Sequence, residues 1–312
     1  MKKIILVALF VVSVVPVTVV FAGSIAYIHG RVSAEGEILA EGQGTPFDQM
    51  LITDAGPTGL SMFKTLVESQ GHSIVQFRDT LVNLNAAFLN NYDVVIFGLH
   101  QKIWSSAERS ALRNWLDQGG GVFIYSDSAS GGRFNMVVGG SANPVGQTVT
   151  NNLIAEYDME VTVDQADGVP REDIVNSASI SSIRGLTLEG EGVSPIAVSP
   201  TNTSVEILAP YTRDVNRRQN LTISNPNFAS LVLRPVGQGH IIVMFDRQPM
   251  WNNGPGSDIE EQDNSAILRE LMDFLAVRPA IIPPTPPSPP SDASSNTVVP
   301  AVNLLLNDEA SD

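Results

Sequence analysis

The amino-acid sequence predicts an α/β fold: a doubly wound, mostly parallel, flavodoxin-like sheet with helices on both faces and an irregular β-rich insertion. Three observations lead there. Apolar runs such as Asp93-Val94-Val95-Ile96-Phe97-Gly98 and Val122-Phe123-Ile124-Tyr125 lack the in–out alternation of a half-exposed strand, so both of their faces are buried. Segments with helical apolar periodicity separate these runs, which is how parallel neighbours are connected. From about 164 to 230 the pattern shifts to short, turn-rich strand signals, as in ISSIRGL, SPIAVSP and SVEILAP.

Taken in order, Leu51-Ile52-Thr53-Asp54 is a short apolar run ending in polar residues, which puts Asp54 at a strand's carboxyl end. A helical pattern then runs from Leu60 to Ser69, with Leu60, Phe63, Leu66 and Val67 on one face and Gly71 as its stop. Ser73 to Phe77 reads as a strand, Leu84 to Asn90 as a short helix, and Asp93 to Gly98 as a buried strand. Ser105 and Ser106 are capping candidates for a helix whose core face carries Ala107, Ala111, Leu112, Trp115 and Leu116. Three glycines, Gly119 to Gly121, end it before the strand Val122 to Tyr125. Asn151 to Tyr157 is a candidate helix and Met159 to Val163 a strand. After the insertion, Ser230 to Leu233 and His240 to Phe245 are strands joined by a Gly237-Gln238-Gly239 turn, and the last helix spans Asn264 to Ala276.

Composition narrows the functions open to this chain. Its 312 residues carry 18 basic against 33 acidic side chains, a formal net charge of −15. Such a surface repels phosphates, which argues against sequence-independent nucleic-acid binding, and the Arg217-Arg218 pair is too small a basic spot to reverse that. The absence of cysteine removes disulfides, thiolate zinc sites, cysteine lipidation and any thiol nucleophile.

The ends differ from the middle. Residues 1–22 combine Lys2 and Lys3 with an apolar run to Ala22 and small residues, Val20 and Ala22, before Gly23, the layout of a cleaved secretory signal peptide. The expected product is a secreted or periplasmic domain, residues 23–278, with no membrane span after cleavage. A proline-rich linker, 279–290, and a disordered tail, 291–312, follow.

Several segments together resemble the class I glutamine amidotransferase-like superfamily, on its non-glutaminase branch of trehalose-utilisation-type and exported domains. They are YDVVIFG (92–98), ALRNWLDQGGGVFIYSDS (111–128), NNLIAEYDMEV (151–161), GQGHIIVMFDRQPMWNN (237–253) and DNSAILRELMDFLA (263–276). The resemblance implies that a glutaminase would carry its cysteine at Ser126 and its histidine in the stretch now reading Phe245-Asp246-Arg247-Gln248. Thiol and base are both missing, so glutamine hydrolysis by that mechanism is excluded.

Ligands of open parallel sheets sit beyond the carboxyl ends of the strands. That edge is expected to collect Asp54, Thr58, His100, Ser126, Asp127, Ser128, Asp246 and Arg247, with Trp251 and Arg247 at the rim. His100 with Ser126 or Ser128 would be the pieces of a hydrolytic site, although short serines and aspartates also simply bond exposed turn amides. Asp246, Asn252, Asp258 and Asp263 crowd one loop and are weak calcium candidates; the plainer reading is that Asp263 or Asn264 caps the last helix. His72 reads as a solvated turn residue, His240 as the start of a strand, and His29 as lying near the mature N-terminus. The glycine pairs at 131–132 and 139–140 lack the lysine of a phosphate-binding loop, so no nucleotide cofactor is indicated. The sequence therefore points to an exported, non-catalytic module binding a carbohydrate or an envelope protein. The alternatives are a secreted hydrolase of sugar or ester substrates using His100, with a serine or a bound metal, and a spacer-linked piece of an envelope assembly.

Overall fold

The computed structural model describes residues 22–30, 51–98, 100, 102–125, 145–162, 170–191, 194–215, 221–254 and 256–277. Residues 1–21, Ser126, Asp127 and Ser128, the Arg217-Arg218 pair, both glycine pairs and residues 278–312 lie outside the described residues.

Among these residues the strands are β1 (Ser24–His29), β2 (Ser73–Arg78), β3 (Val94–Gly98), β4 (Gly121–Tyr125), β5 (Met159–Val161), β6 (Arg171–Ile174), β7 (Thr187–Gly190), β8 (Ile196–Val198), β9 (Glu206–Pro210), β10 (Asn227–Val236) and β11 (Gly239–Met244). The helices are α1 (Ser61–Ser69), α2 (Ala86–Leu89), α3 (Ser106–Asp117), α4 (Val145–Ile154) and α5 (Asn264–Ala276). The main sheet has nine strands, and its parallel part runs β2-β1-β3-β4-β11. Counting only those five, the order is 2-1-3-4-5, that of flavodoxin-like folds.

Every residue of β3 and β4 is buried, as the unbroken apolar runs require. Successive side chains on a strand point to opposite faces, and two neighbouring glycines register what covers each. A Cβ on Gly120 would strike the Trp115 ring of α3, whereas one on Gly121 would strike Leu275 of α5. Helices thus pack on both faces, and these glycines allow them to come close.

One expectation changes. Leu51 to Asp54 is not a strand: it is a turn, closed by Asp54 N–H donating to the Leu51 carbonyl at 3.0 Å. The missing strand is β1, which lies between β2 and β3. The β-rich stretch is present as expected, and much of it is woven into the main sheet. Across the Gly237 turn β10 pairs antiparallel with β11, and it also holds β8 and β9, while β8 pairs β5. The β6–β7 hairpin forms a separate two-stranded sheet.

Candidate functional site

The chain order reverses between β1 and β3, which makes the region beyond their carboxyl ends the switch point where such sheets bind ligands. His29 is the last residue of β1 and pairs in register with Gly98, the last of β3, which pairs in turn with Tyr125, the last of β4. Because Gly98 has no side chain, Tyr27 and Tyr125 meet across it with their hydroxyl oxygens 2.6 Å apart. A Cβ on Gly98 would stand 2.3 Å from the Tyr125 hydroxyl. Burial raises the phenol pKa of both tyrosines, so the pair shares its protons as neutral hydroxyls. The His29 ring stacks on Tyr27, with centroids 5.8 Å apart.

His100 follows β3, as expected, and is buried against Phe97 and Trp104. Its Nε2–H points to the Val149 carbonyl of α4 at 3.4 Å. Burial pulls its pKa down to about 4, outweighing the opposite effects of Asp79 and that carbonyl. His100 is therefore neutral at pH 7.

The end of β11 supplies Asp246 and Arg247. Asp246 Oδ1 accepts from the backbone N–H of Arg247 (2.7 Å) and Gln248 (3.2 Å), and Oδ2 accepts from the Glu191 N–H (2.7 Å). Its carboxylate shapes the turn that joins β11 to the stretch after β7. Arg247 and Trp251 are expected at the rim, but both are buried, with the guanidinium 5.1 Å from the indole ring centroid. Burial pulls the Arg247 pKa down to about 10, while Tyr125 nearby acts to raise it.

Asp54 and Thr58 do not end a strand; their turn is fastened to the loop after β11. Asn252 is the clasp. Its Oδ1 accepts from Met62 N–H (2.7 Å) and Ser61 Oγ (3.4 Å), capping α1, which lacks a local side-chain cap. Its Nδ2 donates to the carbonyls of Asp54 (2.9 Å) and Gly56 (2.8 Å). The calcium candidates are similarly committed. Asp258 Oδ1 accepts from Glu260 N–H, and Asp263 Oδ2 accepts from Thr187 N–H of β7 at 2.9 Å instead of capping α5. Asn264 bonds the Glu189 N–H and carbonyl. Among the described residues no three His, Asp or Glu side chains converge on a metal-sized site. His72 is also a tie rather than a solvated residue: it is buried, accepts from Gly23 N–H at Nδ1 (2.8 Å) and donates from Nε2 to Asp273 (2.8 Å).

Sequence reasoning missed Tyr27, His29, Gly98 and Tyr125 as site residues. The usable signal was SIAYIH, whose apolar character blends into the apolar run just before it.

The chain matches the family DUF4350, a domain of unknown function, over residues 52–272. It belongs to that family. In this DUF4350 protein the matched stretch begins after β1, so the strand that contributes Tyr27 and His29 precedes it. No curated protein matches the chain. Among solved structures it is similar to the mmIFT52 N-terminal domain, at 14% identity and a TM-score of 0.51, covering 81% of this chain and 96% of that one. A ThuA-like protein from Bacteroides uniformis ATCC 8492 aligns at 14% identity and a TM-score of 0.47, over 82% of this chain and 93% of that one. At such identities the likeness concerns the fold alone.

Proposed function

We propose that this DUF4350 protein is an exported, non-glutaminase relative of the class I amidotransferase-like domains, and that it binds a ligand, a carbohydrate in our reading, in the switch-point crevice. The observation that carries this is the state of Asp246. It stands where the resemblance places a catalytic histidine, and its two oxygens accept three backbone N–H bonds. A carboxylate so engaged positions a turn; it is poorly placed to move protons. His100, the base of a hydrolytic reading, is neutral and directs Nε2 at a backbone carbonyl. The groups gathered at the strand ends are instead hydroxyls, imidazoles and an arginine, which orient a polyhydroxylated ligand by hydrogen bonding. Export rests on the sequence of residues 1–22; no helix of the described residues is long and apolar enough to cross a membrane.

The test is a thermal-shift screen of the mature chain against mono- and oligosaccharides, followed by calorimetry on hits. Ligand at a hundred times its dissociation constant stabilises by about 2.7 kcal/mol. We expect His100→Asn to weaken binding at least tenfold with no turnover of any hit by the unaltered protein. Hydrolysis of a hit that disappears in His100→Asn would replace this reading with the hydrolase. Absence of any shift across the panel would remove the carbohydrate.

A further inference from the structure

We propose that a groove between α1 and the loop leading into α5 docks a basic amphipathic segment of a partner protein. The groove has a volume of about 340 Å3. Met62 and Leu66, one helical turn apart, give it an apolar wall from α1, with Thr65 and Ser69 repeating the same spacing beside them. Ile259 contributes the apolar group of the loop. While Phe63 and Val67 are buried inward, Met62 and Leu66 are only half-buried, so α1 carries a second apolar stripe that the fold does not fully cover. Methionine suits such a wall because its unbranched side chain adapts to different partners. The backbone under Met62 is fixed by the Asn252 clasp, so the wall is already in place before anything docks.

Charge selects the occupant. Among the described residues Glu260 is the one ionisable residue lining the groove, and it is exposed. Glu68 on α1 and Glu261 in the loop are exposed as well, and Lys64 of the same helix is held by Glu68 at 2.8 Å. The net charge of −15 adds long-range attraction for a cationic segment and repels an acidic one. A helix with an apolar stripe and lysine or arginine flanks meets both requirements, the groove taking the stripe and the carboxylates the flanks. A second cavity, of about 610 Å3, makes a poorer dock because its charged lining is satisfied internally, with Lys102 Nζ 2.7 Å from Glu108 Oε1. The groove shares no lining residue with the strand-edge crevice, so it stands independently of the carbohydrate reading.

The probe is a capped twelve-residue helical peptide of leucine and lysine, titrated into protein carrying 13C-methyl methionine, with a leucine–glutamate peptide of the same apolar pattern as the control. We expect the lysine peptide to shift the Met62 methyl resonance and the glutamate peptide to leave it unmoved. Ser69→Trp, which fills the groove from an exposed position, should abolish that shift, and Glu260→Lys should weaken binding about fivefold. Circular dichroism confirms that both variants fold. The proposal is overturned if the lysine peptide fails to bind at millimolar concentration. It is equally overturned if the peptide binds without moving Met62, or binds Ser69→Trp as well as the parent, since attraction is then only to net charge.

Discussion

The loop that follows β11 and the strand ends beside it are both polar and largely buried, yet their hydrogen bonds go to different places. In the loop, Asn252, Asp263 and Asn264 direct side-chain atoms to backbone groups of distant segments, so that 54–62 and β7 are sewn to it. At the strand ends, Tyr27 and Tyr125 bond each other and His100 is held neutral. In sequence the two regions look equally site-like. Bonding to the backbone of distant segments marks the loop side chains as architecture, whereas the two tyrosine hydroxyls bond each other. Asp246 lies on the strand edge but belongs with the architectural group.

That contrast can be broken experimentally. Asn252→Ala should have the largest effect, because it leaves the Met62 N–H of α1 without its partner and removes the second bond to each of the Asp54 and Gly56 carbonyls; we expect a loss of about 3–5 kcal/mol by denaturant unfolding. A loss below about 1 kcal/mol would show that the clasp is dispensable.

His100 sharpens the other side. Its pKa is about 6.5 when unfolded and about 4 in the fold, so the unfolded chain binds the proton first as pH falls. The stability gained by keeping it neutral is complete above pH 6.5 and is lost on descending to pH 4, about 3 kcal/mol in all. Between pH 7 and pH 4 the parent should lose about that much more stability than His100→Asn, whose other groups titrate alike. Parallel curves would mean that His100 protonates without penalty.

The smallest expected effect is Tyr125→Phe. It removes the 2.6 Å bond between the two buried hydroxyls and should cost about 1–2 kcal/mol. Tyr27→Phe should cost a similar amount, and the double variant should cost less than the sum of the two. Additive losses would show that the hydroxyls do not act as a pair.

How much of this was legible beforehand depended on how local the cause was. The α3 cap was readable because Ser105 and Glu108 form a reciprocal capping box within four residues. Asn264 to Ala276 was readable because its periodicity is sustained over several turns. β1 was not, since its place between β2 and β3 is set by partners far along the chain and its apolar residues merge with the run before it. The turn at Leu51 to Asp54 looked like a strand because its apolar side chains are buried, though its backbone is bent by bonds to residue 252. His100, Asp246 and Arg247 follow the ends of β3 and β11, while the burial of Arg247 and Trp251 was not visible in the sequence. The tyrosine pair depends on a glycine in the strand between its members, a three-strand relationship that no single window contains.

The position of β11 has a consequence for how the chain is made. It fills the slot between β4 and β10, and among the described residues it is the last strand to leave a ribosome. Until then β4 has β3 on one side and nothing of the main sheet on the other, and Gly121 must wait for His240 to be synthesised before the two pair. Such long-range closure is slow and cannot begin early. A nascent chain of this order stays unlocked until residues 239–244 emerge. Premature termination before Gly239 would leave two half-sheets with open edges, prone to pairing with one another between molecules.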